Sequence, residues 1–348
     1  MVSKDVQNVL NTTMKDSVSL GNYTNGQIYR GILTGLTEAF VIDEKTRNKL
    51  VEQDISSKEV LKPFVMGKDI QRYDTPIINK YLVLFPKGFT KEKSKLEDEQ
   101  EAWQWIKSTY PAIAEWLEPF EKRGKKRYDK GEFWWELRAC EYYDAFEVPK
   151  IIYLKFQVKP AFIMDLKQTY SNDANFIYPK EDYFLLGILN SKLGWFLISN
   201  SCTEIQNGYQ LIYDYFKNIP IPKEIQSAKK QEVEESVKQM VLLNQILKNK
   251  ANKFLKRVTD NFELEKLSKK LEAFYEYDFK TFVAELKKKK IKLSLVEQDK
   301  WEEYFEPYQK ELLELQSQID NTDREIDKMV YELYGLMEDE VAVVEELK

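Results

Sequence analysis

The pattern of apolar and polar positions changes style once along this chain. Up to Asn218-Ile-Pro-Ile-Pro222, short apolar runs are separated by turn residues, glycine and proline among them; beyond it glycine and proline almost vanish. Short strands and helices are predicted for the first style, long helices for the second. Residues 27–42, QIYRGILTGLTEAFVI, read as strand, turn and strand around Thr34-Gly35, with Gly31 marking a bend or a close backbone approach. A helix with N-cap candidates follows at Asp54–Glu59, and Pro63 ends it ahead of Phe64–Ile70. Tyr81–Phe85 reads as a short buried strand. Trp103, Ile106, Tyr110, Ile113 and Leu117 recur at helical spacing within 91–120, with Pro111 as an interruption. Lys150–Leu154, Ala161–Asp165 and Phe176–Tyr178 read as strands. Tyr183–Ile198 is too long for a typical strand and is predicted as one buried helix.

Past residue 225, Val233, Val237, Met240, Asn244, Leu247, Ala251, Phe254 and Val258 alternate steps of four and three, the spacing of a coiled-coil seam. Leu312, Leu315, Ile319, Thr322, Ile326, Met329 and Leu333 form a second seam. Antiparallel pairing brings Val233 near Leu333 and Val258 near Gln309, and makes the polar seam residues Asn244 and Thr322 neighbours. Between the seams lies charged, aromatic helical material that includes Lys287–Lys290, read first as a solvated face and otherwise as a phosphate contact. The expected fold is α+β: a mixed-sheet domain over residues 1–225, then an antiparallel helical hairpin over 226–348 with an inserted lobe at about 259–308. A chain of 348 residues with 43% hydrophobic content suits two domains.

No apolar run approaches the roughly 18 residues that span a bilayer, and MVSKDVQNVL has no hydrophobic signal core, so a cytoplasmic protein without membrane contact is expected. Cys140 and Cys202 lie far apart and read as buried thiols rather than a disulfide framework or zinc site. The chain has no histidine, which removes the imidazole-dependent triads, the HExxH zinc site and most histidine metal sites. Its net charge of −5 is uneven: residues 1–225 hold 31 Lys and Arg against 31 Asp and Glu, and the remainder 22 against 27.

The stretch FEKRGKKRYDKGEFWWELRACEYYDAFEVPKIIY, from Phe120 to Tyr153, sets a basic knot beside paired tryptophans. Cations release counterions from a polyanion, and flat rings or guanidinium planes stack on bases. Lys122, Arg123, Lys125, Lys126 and Arg127 are therefore candidate phosphate anchors. Arg30, Thr34, Lys68, Arg72 and Arg138, each beside a turn, a glycine or the tryptophan pair, are candidates for base or shape readout. Trp134 and Trp135 read as core. Asp43-Glu44-Lys45 matches a fragment of metal-dependent nucleases but reads as a helix entry, and Glu136 and Glu141 read as partners of Arg138. Neither a phosphate-binding glycine loop nor the Asn/Asp-Pro-Pro-aromatic motif of adenine methylation is present, so this chain alone is not expected to be an enzyme or to hold a cofactor or metal.

Taken in order, IYRGILTGLTEAFVID, LKPFVMGKDIQRY, the Lys-Arg-Tyr-Asp-Lys-Gly loop leading to WWELRACEYYDAFEVPKIIY, YFLLGILNSKL, NIPIP and REIDKMVYELYGLMEDE resemble the TaqI-like C-terminal specificity domain of type IIG restriction-modification enzymes and adenine-specific DNA methyltransferases. The likeness covers about 27–222 and resumes at about 324–345. It implies a target recognition domain that reads duplex DNA while a separate catalytic domain, in cis or in trans, binds S-adenosylmethionine. The helical hairpin would then be a spacer or docking surface for that domain, since an acidic coiled coil suits a protein partner. A scaffolding protein acting through its hairpin is the main rival reading, and a nuclease using Asp43 and Lys45 a distant third.

Overall fold

The structure is a computed structural model and describes residues 3–346. Two four-stranded sheets build the N-terminal body. One runs Val41–Asp43, Lys80–Val83, Leu61–Val65, Tyr170–Ser171, antiparallel except for its last, parallel pair. The other runs Tyr29–Arg30, Asn175–Tyr178, Lys150–Leu154, Phe162–Asp165 and is antiparallel throughout. The fold is α+β with mixed sheets. Residues 27–42 do not close a hairpin. Gly35, at φ +65°, and the one-turn helix Thr37–Phe40 lead the chain from the second sheet into the first. Gly31 marks a close approach: a Cβ there would stand 2.0 Å from Asn172 O, beside the bridge between Ile32 and Asn172.

Alternation along the Lys150–Leu154 strand sorts its side chains into two cores. Ile151 and Tyr153 face helices Tyr183–Asn190 and Lys192–Ser201, whereas Ile152, with Ile163 and Ile177, faces the tryptophan-rich core under helices Glu99–Thr109 and Pro111–Leu117. Pro111 opens its helix as the first residue, where its missing N–H has no intrahelical role. The single helix expected over Tyr183–Ile198 is two. The break falls at Ser191, whose backbone is extended and whose hydroxyl caps the next helix by accepting from Gly194 N at 3.0 Å, while the Asn190 side chain exchanges hydrogen bonds with both backbone groups of Phe162.

Two long helices, Ser227–Phe262 and Leu295–Tyr334, form antiparallel arms. Val233, Val237 and Met240 share a core with Ile326 and Val330, and Phe254 and Val258 share another with Phe305 and Leu312. Asn244 and Thr322 each satisfy themselves on their own helix, Nδ2 of one donating to Met240 O and Oγ1 of the other to Gln318 O. Near its C-terminal end the return arm buries Val330, Tyr331 and Tyr334, while Met329 and Leu333 are only partly buried. The reason is a second neighbour: this end packs on the body as well as on its partner, and Tyr334 Oη donates to Pro220 O at 2.6 Å. Between the arms, Lys269–Glu272, a 3₁₀ turn at Phe274–Glu276 and Phe279–Lys288 close a lobe around Phe254, which stacks on Phe274 at 3.9 Å.

Arms and body are bound as one unit. Gly187 lets them approach, since a Cβ there would lie 2.7 Å from Val237 Cγ2. Arg72 reaches Asp323 with two hydrogen bonds, at 2.7 and 2.5 Å, and Asn190 O at 2.9 Å. Nearby, the buried Asp327 accepts from Lys192 N at 2.8 Å. Burial pushes the Asp327 carboxyl up to about 6, against the pull of that hydrogen bond and of Arg72 and Lys192. A folded value above the unfolded one, about 3.9, favours folding when protonated; this stabilisation is complete below about pH 4 and is lost as pH rises through 6. Lowering pH from 7.5 to 5 should gain about 1 kcal/mol from this carboxyl. Asp327→Asn should remove that part of the pH dependence in urea unfolding while keeping the acceptor for Lys192; an unchanged profile would exclude Asp327 as its source.

Candidate nucleic-acid interface

The basic knot begins as a helix end. Pro111–Leu117 continues through the 3₁₀ turn Glu118–Phe120 into Glu121–Lys125, so Lys122, Arg123 and Lys125 occupy the last turn, where exposed carbonyls favour cations. Gly124 presses this end onto Trp134; a Cβ would meet Trp134 Cε3 at 2.6 Å. Arg123 pairs with Glu38 at 2.9 Å, and Lys125 with Glu99 and Glu121 at 2.9 and 2.8 Å. Lys122 and Lys126 are exposed and, among the described residues, in no ion pair. Tyr128 at the tip is 99% exposed.

Arg127 departs from the expectation of a phosphate anchor. It is buried, donating to Thr34 O at 2.6 Å, Trp134 O at 2.9 Å and Glu136 O at 2.6 Å, and its guanidinium lies 4.4 Å from the Phe40 ring centroid. Burial pulls its pKa down to about 10, which leaves it cationic at neutral pH. Its work is structural: it ties the Thr34-Gly35 turn to the basic helix end and the tryptophan core. Phe133, Trp134 and Trp135 are buried there, stacked or tilted against one another and Trp103.

The carboxylates are equally committed. Glu136 is fully buried and accepts from Gly88 N, Thr90 N and Glu132 N at 2.9–3.0 Å, so it does not pair with Arg138. Arg138 faces Asp129 instead, at 3.8 Å. Asp43 caps helix Glu44–Gln53, and the 2.7 Å hydrogen bond from Thr46 N helps hold its carboxyl below the usual range. Cys202 is buried but Cys140 only half-buried; burial raises both thiols above their ordinary value.

Around residues 31–35 the remaining candidates converge. On one side Arg30 and Arg138 line a depression of about 50 Å³ with Tyr142 and Tyr143, and Tyr29 stacks on Tyr142 at 4.6 Å. Arg30 is held by Asp173, through its carbonyl at 3.1 Å and its carboxylate at 2.9 Å. On the other side a cleft of about 360 Å³ takes in Thr34, Thr37, Glu38, Arg123, Asn172 and Asp173. Lys68 is exposed on the turn Gly67–Asp69, whose Gly67 lies against Ala174 and Asn175. Thr34 departs from the expectation of a readout residue: it is buried, its hydroxyl 3.3 Å from that of Thr37, so the donors left for phosphates and base edges on the two sides of this segment are the exposed cations and the Asn172 amide.

Residues 62–221 match the family described as the TaqI-like C-terminal specificity domain. The match covers a little under half of the chain. Residues 226–330 match a domain of unknown function, DUF8810. Among curated proteins none matches. Similar solved structures include the type IIL restriction-modification enzyme MmeI in complex with DNA, with a TM-score of 0.47 and 11% identity over 91% of this chain and 34% of that one. The type IIG restriction endonuclease BpuSI gives a TM-score of 0.40 and 12% identity over 68% of this chain and 28% of its own. The chain thus spans about a third of the length of these enzymes.

The specificity domain contains Lys68, Arg72, the basic helix end and Arg138, while Arg30 and Thr34 precede it in sequence and are fixed to it by Asp173 and Arg127. Arg72 lies apart, engaged with the return arm rather than facing outward on the ridge. Tyr29, Tyr142, Asn172 and Asp173 join the surface without having been singled out as contacts. They meet only because the chain crosses between sheets at 170–178, a pairing no local pattern announces. No helix among the described residues is long and apolar enough to cross a membrane. Arg127→Met should cost about 2–4 kcal/mol by stranding three buried carbonyls, whereas Lys126→Glu should leave stability within about 0.5 kcal/mol. Chemical denaturation of the two variants checks this, and equal stability would remove Arg127 from its structural role.

Proposed function

We propose that this chain reads a duplex DNA sequence as the specificity module of an adenine-specific DNA methyltransferase or type IIG-like restriction-modification enzyme. The S-adenosylmethionine-binding catalytic domain acts in cis or in trans. One observation carries the reading: the segment that matches the specificity-domain family holds exposed cations on both sides of residues 31–35, with Lys122 and Lys126, in no ion pair among the described residues, at the nearby helix end. Lys122 and Lys126 anchor phosphates, joined by Arg123 and Lys125 when their surface ion pairs open, which costs little. Arg30, Arg138 and Lys68 supply donors to base edges or read groove shape, while the buried Thr34 holds the turn between them. The arms serve as spacer and docking element for the catalytic domain.

Selection from a random duplex library, with and without the catalytic domain, tests the reading. An enriched motif is the expected outcome; uniform weak binding favours a scaffold, and metal-dependent cleavage a nuclease. Lys122→Glu with Lys126→Glu should weaken binding to all duplexes alike and lower the salt slope by about 2, leaving the motif unchanged. Arg138→Ala or Arg30→Ala should relax one position of the motif by about 1–3 kcal/mol.

A further inference from the structure

The charge of the arms is segregated. Residues 246–292, the outer part of the first arm and the lobe, carry 14 Lys and Arg against 7 Asp and Glu, whereas residues 293–348 carry 5 against 17. The acidity of the C-terminal part therefore belongs to the return arm and the short helix Glu338–Glu345 beyond it; the lobe is basic in a chain of net charge −5. Few of its cations are neutralised locally: Lys248 pairs with Asp74, Lys250 with Glu311 and Lys288 with Glu285. Lys253, Lys256, Arg257, Lys269, Lys287, Lys289, Lys290 and Lys292 are exposed and in no ion pair among the described residues. Like charge at this density repels itself, and a polyanion relieves that repulsion.

The lobe does not stand in isolation from the specificity domain. Between them runs an open groove of about 610 Å³, lined by Gln71, Arg72 and Asp74 on the body side and by Asn244, Lys248, Asn252, Lys256 and Glu272 on the other; Arg72 is held by Asp323 and Lys248 by Asp74, which leaves Lys256 as its unpaired cation among the described residues. Amides and cations of this kind dominate contacts to a sugar-phosphate backbone. Lys68 of the candidate interface stands three residues before Gln71 of the groove, at most about 11 Å along the chain. From Lys248 to Phe262 the first arm extends about 21 Å at ~1.5 Å per residue, the length of about six base pairs.

We infer that the basic lobe and this groove form a second DNA-binding surface, which holds the phosphate backbone of duplex flanking the recognised site without reading its sequence. The inference rests on the DNA-recognition reading above. The acidic return arm would repel the duplex and so confine it to the basic side, leaving that arm for a protein partner.

The test uses the full chain and two duplexes, a short one ending at the enriched motif and a long one extended by about 15 base pairs on each side. The parent should bind the long duplex at least about tenfold more tightly in 0.1 M salt. In the variant Lys256→Glu, Lys269→Glu, Lys287→Glu, Lys289→Glu that advantage should vanish and the salt slope on the long duplex should fall by about 3–4. The motif and the short-duplex affinity should stay unchanged. The same four positions changed to Gln should show a smaller loss in the same direction, with the parent's melting temperature as the control for folding. A parent that binds both duplexes equally while still enriching a motif overturns the second surface alone, as does a variant that keeps the long-duplex advantage. Absence of any enriched motif overturns the DNA-recognition reading, and this inference falls with it.

Discussion

Burial of both faces of the Lys150–Leu154 strand is the constraint on which the rest of the body depends. A strand exposes side chains on two sides, so one that is apolar throughout needs a core on each. Here the helices after residue 182 supply one and the tryptophan layer the other. Even its polar member is enclosed: Lys150 is fully buried, with Nζ 2.6 Å from Asp165 and 2.8 Å from Phe146 O. A cation kept in such a place must be matched by acceptors, and Asp165 is in turn held by Thr169 through both its backbone N–H and its hydroxyl. The arms rest on one of these two cores, which is why a helical hairpin and an antiparallel sheet here share an interior rather than a linker.

Arginine is used in this chain for two purposes that a sequence does not separate. Arg127 and Arg72 sit beside turns and among cations, as phosphate contacts do, but each is consumed by the fold: one by three carbonyls, the other by Asp323 and Asn190 O. Arg30, Arg123 and Arg138 are about half exposed and face single surface carboxylates, a state from which a phosphate can recruit them. The difference is burial, and burial is set by distant segments: Thr34 and the tryptophan layer for Arg127, the return arm for Arg72. The structural arginines also position the others, since Arg127 fixes the ridge that separates Arg30 and Arg138 from Arg123.

How much can be read in advance depends on the range of the forces involved. Strands at 150–154 and 162–165, the Pro111 break, the close approach at Gly31 and the helical arms all have local signatures in alternation, proline chemistry or three-four spacing. The split at Ser191 is hidden because the side chain of Asn190, the last residue of the first helix, bonds a partner 28 residues away in sequence. The 27–42 segment resembles a hairpin because its two halves have strand composition, whereas each finds a longer-range partner in a different sheet. For the candidate site, the cations and the core role of the tryptophans are legible. Two of the acids that hold those cations, Glu38 and Asp173, are not, since each lies in another segment of the chain from its arginine.

Charge adds a constraint that helical periodicity alone does not express. The two arms satisfy the same three-four seam, yet they carry opposite charge, and few crossing pairs join them beyond Lys250 and Glu311. A helical hairpin needs only its apolar seam for pairing, so its outer faces are free to take any charge. The seam therefore accounts for how the arms associate and leaves their polarity unexplained by folding. A spacer with no electrostatic task would mix its charges, as solvated helices generally do. Separation of lysine on the lobe from glutamate and aspartate on the return arm gives the hairpin a direction, and the groove that the first arm shares with Gln71 and Arg72 sets that direction towards the body.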